Sequence, residues 1–518
     1  MKTTSMKLLF LLLTICVFTF SQAQNTNVSN NIVFEGEPFL AIDPMNNQHL
    51  VAAWMGFKVN EAIVIKLSYS NDGGVTWSVP INLDHQIIGN TSADVSLQYD
   101  GSGNLFACYI DYNSTDFSNG AIFVRKSTDG GISWGNSSEA INITDCPNKL
   151  CLDRPWMVID QSGNIFITSM NPDQPTLVTA PYNPYFVVSS DGGATFTFPQ
   201  TIDAPNYLAG DLITQPVPTP AIGSDNAFYA AYPSYVPSQS LFAQIFLAKS
   251  TDLGANFTYS TILTGGDAVI DPFAKKASLL IADPNDADHL VHISLRDING
   301  DADLFLIETL DGLNWSVPQR INQDGIGNGK MQDLLWADFN ENSDLAVCWR
   351  DRRNASVNGY QTETEIYGAI KLNGEPDFLP DFVISSQQVS HDAILEAAGN
   401  DFMNVHFIAD TIYTIWGDVR TGNLNIFINK MNVDTGTSSI QTIHQETGVI
   451  EIFPNPSKDF INLSNFDKVS EVKIINLSGQ LIQNINKSVV NISDLPKGEY
   501  ILIYNYQHKK LTTRFQKH

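Results

Sequence analysis

The chain has 518 residues and is strongly acidic, with 29 Lys and Arg residues against 55 Asp and Glu residues and a formal net charge of −26. Nucleic-acid phosphates and anionic membrane surfaces repel such a charge, so we expect neither as a partner. After the N-terminus no apolar stretch is long enough for a membrane-spanning helix, and we expect no membrane insertion.

Residues 1–23 have the pattern of a secretory signal peptide. Lys2 and Lys7 precede the apolar run Leu8–Phe20, and a small-residue cleavage site, Ser21–Ala23, follows it. The apolar run is too short to cross a bilayer. The sequence therefore predicts that the mature chain is exported.

A turn with the pattern Ser/Thr-x-Asp-x-Gly-x-Thr/Ser/Asn-aromatic recurs along the chain, once in a shortened form. Its aspartate can accept hydrogen bonds from backbone N–H groups two residues on, and its glycine supplies the positive φ of a tight loop. The aromatic residue then begins a strand and buries a large ring. We interpret the turns as structural. Their aspartates are Asp72, Asp129, Asp191, Asp252 and Asp311.

The turns recur about every sixty residues, which is typical of a repeat architecture. Two apolar runs joined by a polar turn precede each of them, and seven such units of four short strands can be counted. Four strands per unit at regular spacing are typical of propeller blades. The sequence predicts an all-β protein, with a seven-bladed β-propeller over residues 32–440 and a small β-sandwich over residues 449–518.

The C-terminal segment carries three short motifs, Phe453–Pro456, Asn476–Gln480 and Leu495–Tyr500. With these motifs it resembles the C-terminal sorting domain of the type IX secretion system of Bacteroidetes. The resemblance implies that the type IX secretion machinery is a partner. It also implies that the protein is either secreted or attached to the cell surface.

Four cysteines follow the signal segment. Cys146 and Cys151 flank four residues and could form a disulfide in an oxidising compartment. Cys108 and Cys348 lie in apolar strand-like runs, which is typical of buried free thiols. No Cys/His spacing indicates zinc, and we expect no cofactor.

The segment Asp297–Asp303 resembles the start of a calcium loop. Its sixth position is Ala302, where such a loop needs glycine. The following residues are typical of an extended strand, which would carry Glu308 roughly 15 Å away from the other oxygens. We therefore predict no metal site.

Arginine is scarce in the predicted propeller and concentrates in the loops that enter first strands or leave second strands. Guanidinium groups suit carboxylate or sulfate recognition, so one hypothesis is an anion-binding surface on one face. The alternative is that each arginine pairs with an aspartate of its own or the next blade. The candidate residues are Arg154, Arg296, Arg350, Arg352, Arg420, Asp153, Asp297, Asp351 and Asp418.

The repeated turns and all-β units resemble Asp-box propellers, which include sialidases. The resemblance implies an extracellular glycan as ligand. True sialidases begin their first blade with a substrate-binding Arg, whereas the matching stretch here is Gly36–Phe39, with Glu37 at that place, so we expect no exo-sialidase activity. Two functions remain open: a hydrolase or lyase acting on acidic glycans, or a non-catalytic glycan-binding or adhesion protein. No catalytic residue can be assigned from the sequence.

Overall fold

The computed structural model describes residues 25–59, 62–172, 174, 176–213, 215–236, 238–240, 243–264, 278–391, 400–433, 450, 452–476, 481–506 and 509–518. The predicted signal peptide, residues 1–23, and the motif residues 477–480 lie outside this part of the chain. The chain divides into two compact units, Met1–Thr435 and Gly436–His518. The more exact limits 32–440 and 449–518 remain predictions.

The strands of the first unit form seven four-stranded antiparallel sheets within the described ranges. The chain begins with β1 (Thr26–Asn27). Sheet 1 contains β2 (Glu35–Asp43), β3 (Asn46–Lys58), β4 (Ala62–Ser70) and β5 (Ile81–Leu83). Sheet 2 contains β6 (Thr91–Tyr99), β7 (Leu105–Tyr112), β8 (Gly120–Ser127) and β9 (Ser138–Asn142). Sheet 3 contains β10 (Asp153–Ile159), β11 (Ile165–Met170), β12 (Pro184–Ser189) and β13 (Gln200–Thr201).

Sheet 4 contains β14 (Thr219–Ile222), β15 (Phe228–Ser234), β16 (Gln244–Ser250) and β17 (Thr258–Leu263). Sheet 5 contains β18 (Ser278–Ala282), β19 (Leu290–Arg296), β20 (Asp303–Thr309) and β21 (Gln319–Arg320). Sheet 6 contains β22 (Gln332–Phe339), β23 (Leu345–Asp351), β24 (Glu365–Lys371) and β25 (Phe382–Val383). Sheet 7 contains β26 (Asn404–Ile408), β27 (Thr411–Asp418) and β28 (Asn425–Asn432), and β1 pairs with β28 as its outer strand.

The seven sheets are arranged as a closed ring. The first strands of successive sheets contact one another from β2 to β26, and β26 contacts β2 in turn. First strands of all seven sheets also line one channel, represented by Phe39, Leu97, Met157, Pro220, Leu280, Trp336 and Val405. A ring of four-stranded sheets around a channel is a β-propeller. The predicted all-β propeller class is therefore confirmed.

The repeated turns join the third and fourth strands of sheets 1 to 5. In the first of them, Asp72 Oδ1 accepts the Ser70 hydroxyl at 2.8 Å and the Thr76 backbone N–H at 2.8 Å, while the Thr76 hydroxyl donates to Oδ2 at 2.6 Å. The bonds from Thr76 lower the pKa of Asp72 to about 2. Equivalent bonds surround Asp129, Asp191, Asp252 and Asp311.

Regular helices are few in the described chain. They are α1 (Ala209–Leu212) and two 3-10 turns, Ile143–Asp145 and Phe466–Lys468. None of the described helices is both long enough and apolar enough to cross a membrane.

The second unit is built from two small sheets. Its strands are β29 (Ile452–Phe453), β30 (Phe460–Leu463), β31 (Ser470–Asn476), β32 (Leu481–Asn484), β33 (Val489–Asn491), β34 (Gly498–Tyr506) and β35 (Lys509–Lys517). The order is β29-β30-β33 in one sheet and β32-β31-β34-β35 in the other. Both sheets contribute to one core, which includes Ile461, Ile474 and Leu502.

Candidate functional site

Four first strands carry a β-bulge near the start of the strand. The register shifts within β2, β6, β10 and β22, and each bulge contains one residue with a positive φ between 50° and 56°. A positive φ is uncommon for residues other than glycine, and bulges often re-aim a side chain next to an active site. These residues are Glu37, Asp94, Arg154 and Leu334.

Three of these bulges, in the adjacent sheets 1 to 3, bring charged groups together. The Arg154 guanidinium donates from Nη2 to Asp401 Oδ2 at 3.1 Å, and the Arg154 backbone N–H donates to Asp94 Oδ2 at 3.1 Å. Asp153 lies beside Asp94. Glu37 lies close enough to Asp94, Asp401 and Arg154 for their charges to shift its pKa. We call these five residues the carboxylate cluster.

The carboxylate cluster has too many acids for its single cation. Burial, followed by the nearby Asp94, raises the pKa of Asp153 to about 7. Burial together with Asp94 and Asp401 raises the pKa of Glu37 well above its ordinary range. Only 3% of Glu37 is exposed, and its Oε2 has no hydrogen-bond partner among the described residues. Carboxyl groups this close cannot all be ionised, so the cluster retains protons near neutral pH.

Aromatic rings from the first strands of sheets 1, 3 and 6 contact one another. Phe39 and Trp156 each follow a bulge residue by two positions, as does Trp336 after Leu334. The ring centroids of Phe39 and Trp336 are 5.4 Å apart, and those of Trp156 and Trp336 are 5.5 Å apart. This packing supports the strands that position the cluster.

A cleft of about 610 Å³ opens beside the carboxylate cluster. Asp94, Asp153 and Arg154 lie along it. The rest of its wall is largely apolar. It includes Phe34, Met55, Ile63, Ile110, Tyr112, Phe117, Ile143, Leu150, Leu152 and Pro172. A concave apolar wall with a few convergent polar groups is typical of a ligand site.

Tyr112 connects the charged and the apolar parts of the cleft. Burial, with Asp94 and Asp153 nearby, raises the pKa of the Tyr112 phenol to about 12. Its ring stacks on Phe117, with centroids 5.5 Å apart and an interplanar angle of 24°. The hydroxyl therefore stays neutral and can donate a hydrogen bond.

Arg350 and Arg352, two of the predicted anion-binding residues, share the carboxylate of Asp333. Arg350 donates to its Oδ1 at 2.8 Å and to its Oδ2 at 2.5 Å, and Arg352 donates to Oδ1 at 3.0 Å. Their exposed fractions are 4% for Arg350, 1% for Arg352 and 0% for Asp333. This geometry corresponds to the alternative interpretation, in which each arginine pairs with an aspartate of its own or the next blade.

Arg420 also has a partner in its own sheet. It donates to Asp418 Oδ2 at 2.6 Å and lies 4.4 Å from the ring centroid of Phe427, while the Trp416 indole donates to Asp418 at 2.8 Å. The same set of contacts occurs one sheet earlier, among Trp349, Asp351, Arg353 and Tyr367. These residues stabilise the ends of β23 and β27.

The remaining candidates are separate from the cleft. Arg296 lies 5.7 Å from the ring centroid of Phe305, and Asp297 accepts the backbone N–H of Gly300 at 2.9 Å. Of the nine predicted binding residues, only Arg154 and Asp153 line the cleft. Asp94, Asp401 and Glu37 belong to the charged loops that the sequence places before first strands, but they are not among the nine candidates.

The cysteines are placed as follows. Cys146 and Cys151 form a disulfide, and the loop that they close borders the cleft. Cys108 and Cys348 are buried and have free thiols. Burial raises the pKa of the Cys348 thiol to about 12, so it stays protonated. Across the described ranges, no three His, Cys, Asp or Glu side chains are placed to hold a metal ion.

The C-terminal unit matches a known family. Residues 451–518 match the family described as "Secretion system C-terminal sorting domain". The protein therefore carries a type IX sorting domain and is secreted or attached to the cell surface by that route. No curated protein matches the chain.

Several solved propeller structures are similar to the chain at low identity. An alpha-L-arabinanase from Penicillium chrysogenum has 15% identity, with 64% of this chain and 94% of that chain covered and a TM-score of 0.41. A polysaccharide lyase, PL25 ulvan lyase, has 10% identity, coverage of 79% and 96%, and a TM-score of 0.46. The NanB sialidase from Streptococcus pneumoniae has 14% identity, coverage of 80% and 71%, and a TM-score of 0.37. The ring of sheets itself remains the evidence for the fold.

Proposed function

We propose that the protein is a secreted glycoside hydrolase that cleaves a neutral extracellular glycan in the cleft. The observation that carries this proposal is the pair Asp153 and Asp94, two neighbouring carboxyl groups that face a cleft large enough for sugar rings. Glycoside hydrolysis commonly uses a pair of carboxyl groups, one as the acid and one as the carboxylate.

The two carboxyl groups have complementary roles in the proposed reaction. Asp153, protonated near neutral pH, donates its proton to the leaving-group oxygen as the glycosidic C–O bond breaks. Asp94 is the carboxylate of the pair and activates the attacking water once a bound glycan separates the two carboxyl groups, because glycosidases hold such groups roughly 5–9.5 Å apart. Arg154 positions the pair, because its backbone N–H binds Asp94 and its side chain binds Asp401.

The charge of the cleft favours a neutral glycan over the acidic glycan expected from the sequence. That expectation depended on a surface with several arginines, and Arg154 is the arginine that lines the cleft. Three carboxyl groups, Asp94, Asp153 and Asp401, line it as well. A polyanion would meet repulsion there. A lyase would need a free cation to neutralise a uronate, and Arg154 is bound to Asp401.

The proposal is tested by incubating the full chain with neutral, uronate-containing and sulfated polysaccharides and measuring released reducing ends. We expect cleavage of a neutral polysaccharide, and a loss of about 10²–10⁴-fold in kcat for Asp153→Asn. Glu375→Gln is the matched control, because Glu375 is an exposed carboxylate between β24 and β25.

Three results would contradict parts of the proposal. Binding without cleavage would favour the non-catalytic glycan-binding alternative. Cleavage confined to acidic polysaccharides would refute the neutral substrate. Neither binding nor cleavage of any glycan would refute the glycan function.

A further inference from the structure

The stacked pair Tyr112–Phe117 extends the cleft away from the carboxylate cluster. Tyr112 ends β7, and Phe117 follows in the connection to β8. Both rings are partly buried and pack on the core cluster of sheets 2 and 3, which leaves part of each ring facing the cleft. The phenol of Tyr112 is close enough to Asp94 and Asp153 for their charges to raise its pKa. A ligand at the carboxylates therefore has an aromatic surface as its next neighbour.

The disulfide loop, residues 146–151, forms a second side of the same part of the cleft. Leu150 lies in this loop and lines the cleft, as does Leu152 immediately after it. Leu150 has a φ of 48°, a conformation that residues other than glycine rarely adopt. The disulfide between Cys146 and Cys151 closes the loop and restricts its alternatives.

Further hydrogen bonds attach the disulfide loop to sheet 3. The Ser169 hydroxyl donates to the Cys151 carbonyl at 2.8 Å, and Lys149 Nζ donates to the Pro181 carbonyl at 2.8 Å. The Asn171 side-chain amide also donates to the Lys149 carbonyl. The loop is thus held at Lys149 and Cys151, and through the disulfide at Cys146, before any ligand arrives. A wall that is already ordered loses little conformational entropy on binding.

We propose that Tyr112, Phe117 and the disulfide loop form an outer sugar-binding subsite, which takes the second unit of a neutral glycan whose first unit lies against Asp94 and Asp153. The inference rests on the proposed function and names the residues that recognise a second sugar unit. Sugar rings have apolar C–H faces that pack on aromatic rings, whereas their hydroxyl groups need only a few polar partners.

If this subsite is present, the binding affinity of an oligosaccharide depends on its number of sugar units. The probes are xylose, mannose, galactose and arabinose oligosaccharides of one to four units, titrated calorimetrically into the full chain. We expect the wild type to bind two units roughly tenfold more tightly than one, which corresponds to one additional aromatic contact. Phe117→Ala should reduce this affinity ratio to near one. Phe117→Leu, which keeps apolar volume but no ring, should give an intermediate ratio.

Two further variants separate the subsite from general effects on folding. Phe198→Ala removes an exposed aromatic ring between β12 and β13 that does not line the cleft, and it should keep the wild-type ratio. The double variant Cys146→Ser/Cys151→Ser should lower the ratio because the wall loses its order. Melting temperatures identify any variant that fails to fold, and Phe117→Leu then remains the test.

The outcomes distinguish this inference from the proposed function. If the wild type binds these oligosaccharides and Phe117→Ala keeps the full ratio, the subsite is refuted while the glycan function stands. If the wild type binds none of the probes and cleaves no polysaccharide, both proposals are refuted. A ratio that falls equally in Phe198→Ala would also overturn the subsite.

Discussion

Replacing Asp333 by Asn should strongly destabilise the propeller. Asp333 is fully buried and accepts hydrogen bonds from two guanidinium groups, those of Arg350 and Arg352. Asparagine preserves the volume but removes the negative charge, which leaves two buried cations without their counterion. Breaking a buried ion pair in this way typically costs about 3–5 kcal/mol in the free energy of unfolding.

The expected loss is large enough to measure by urea unfolding followed by tryptophan fluorescence. With a urea dependence of about 3 kcal/mol/M, a loss of 3 kcal/mol lowers the midpoint by about 1 M. The control is Glu375→Gln, the same chemical change at an exposed site of the same sheet, and it should shift the midpoint by little. Equal shifts in the two variants would show that the triad is not a stabilising unit.

The pH dependence gives an independent check on the same triad. Burial alone would raise the pKa of Asp333, but Arg350 and Arg352 outweigh burial and hold the pKa well below its usual range. Because the folded-state pKa lies below the unfolded value of about 3.9, the stabilisation is complete above that pH and is lost as the pH falls towards the folded-state pKa. The difference between wild type and Asp333→Asn should therefore shrink below about pH 4.

The other predictions concern the cleft, the disulfide and one histidine. Because Asp153 acts as an acid whose pKa is raised to about 7, kcat should fall as the pH rises through about 7, and a rate that is flat from pH 6 to 9 would exclude it as the proton donor. Cys146→Ser/Cys151→Ser should lose about 2 kcal/mol in urea unfolding, the amount expected from closing so short a loop, and an unchanged midpoint would contradict this. Burial lowers the pKa of His289, but Glu308 and Asp283 outweigh burial and raise it, so its stabilisation is complete below the ordinary value of about 6.5 and is lost as the pH rises through the folded-state pKa. His289→Gln should therefore cost more stability at pH 6 than at pH 9, and a cost that is equal at both would refute the assignment.

Much of the fold could be predicted because its determinants are local. Each repeated turn needs a short acidic side chain, a glycine and an aromatic residue within a few positions, so the pattern is visible in the sequence. In the structure, Asp72 makes these contacts with Ser70 and Thr76, all within six residues of one another. The sorting domain likewise has its motifs in continuous segments.

The candidate site could be predicted only in part because its members are distant in sequence. Arg154 and Asp401 form their ion pair across 247 positions. Whether an arginine meets a nearby aspartate or a distant one depends on the bulge that re-aims it, and the sequence does not mark the bulge. All four of Glu37, Asp94, Asp153 and Arg154 are recognisable in the sequence as charged residues before first strands, but the candidates were chosen around arginines, so Glu37 and Asp94 were left out.

Charged residues concentrate at two places, after the ends of second strands and in the bulges of first strands, and their partners differ. Residues that follow a second strand, such as Arg420, contact side chains of their own sheet, and a partner such as Asp418 neutralises their charge. The charged bulge residues of sheets 1 to 3 meet groups of other sheets, as Arg154 meets Asp94 and Asp401, so their pairing is a property of the whole ring. At Glu37 and Asp94 the closed ring places two carboxyl groups close together, an arrangement that does not stabilise either of their sheets. Crowding buried carboxyl groups together raises the energy of the empty site, and a ligand that accepts hydrogen bonds from their protons recovers part of that energy. For this reason the inner charges, and not the more numerous outer arginines, are the ones that we expect to act on a ligand.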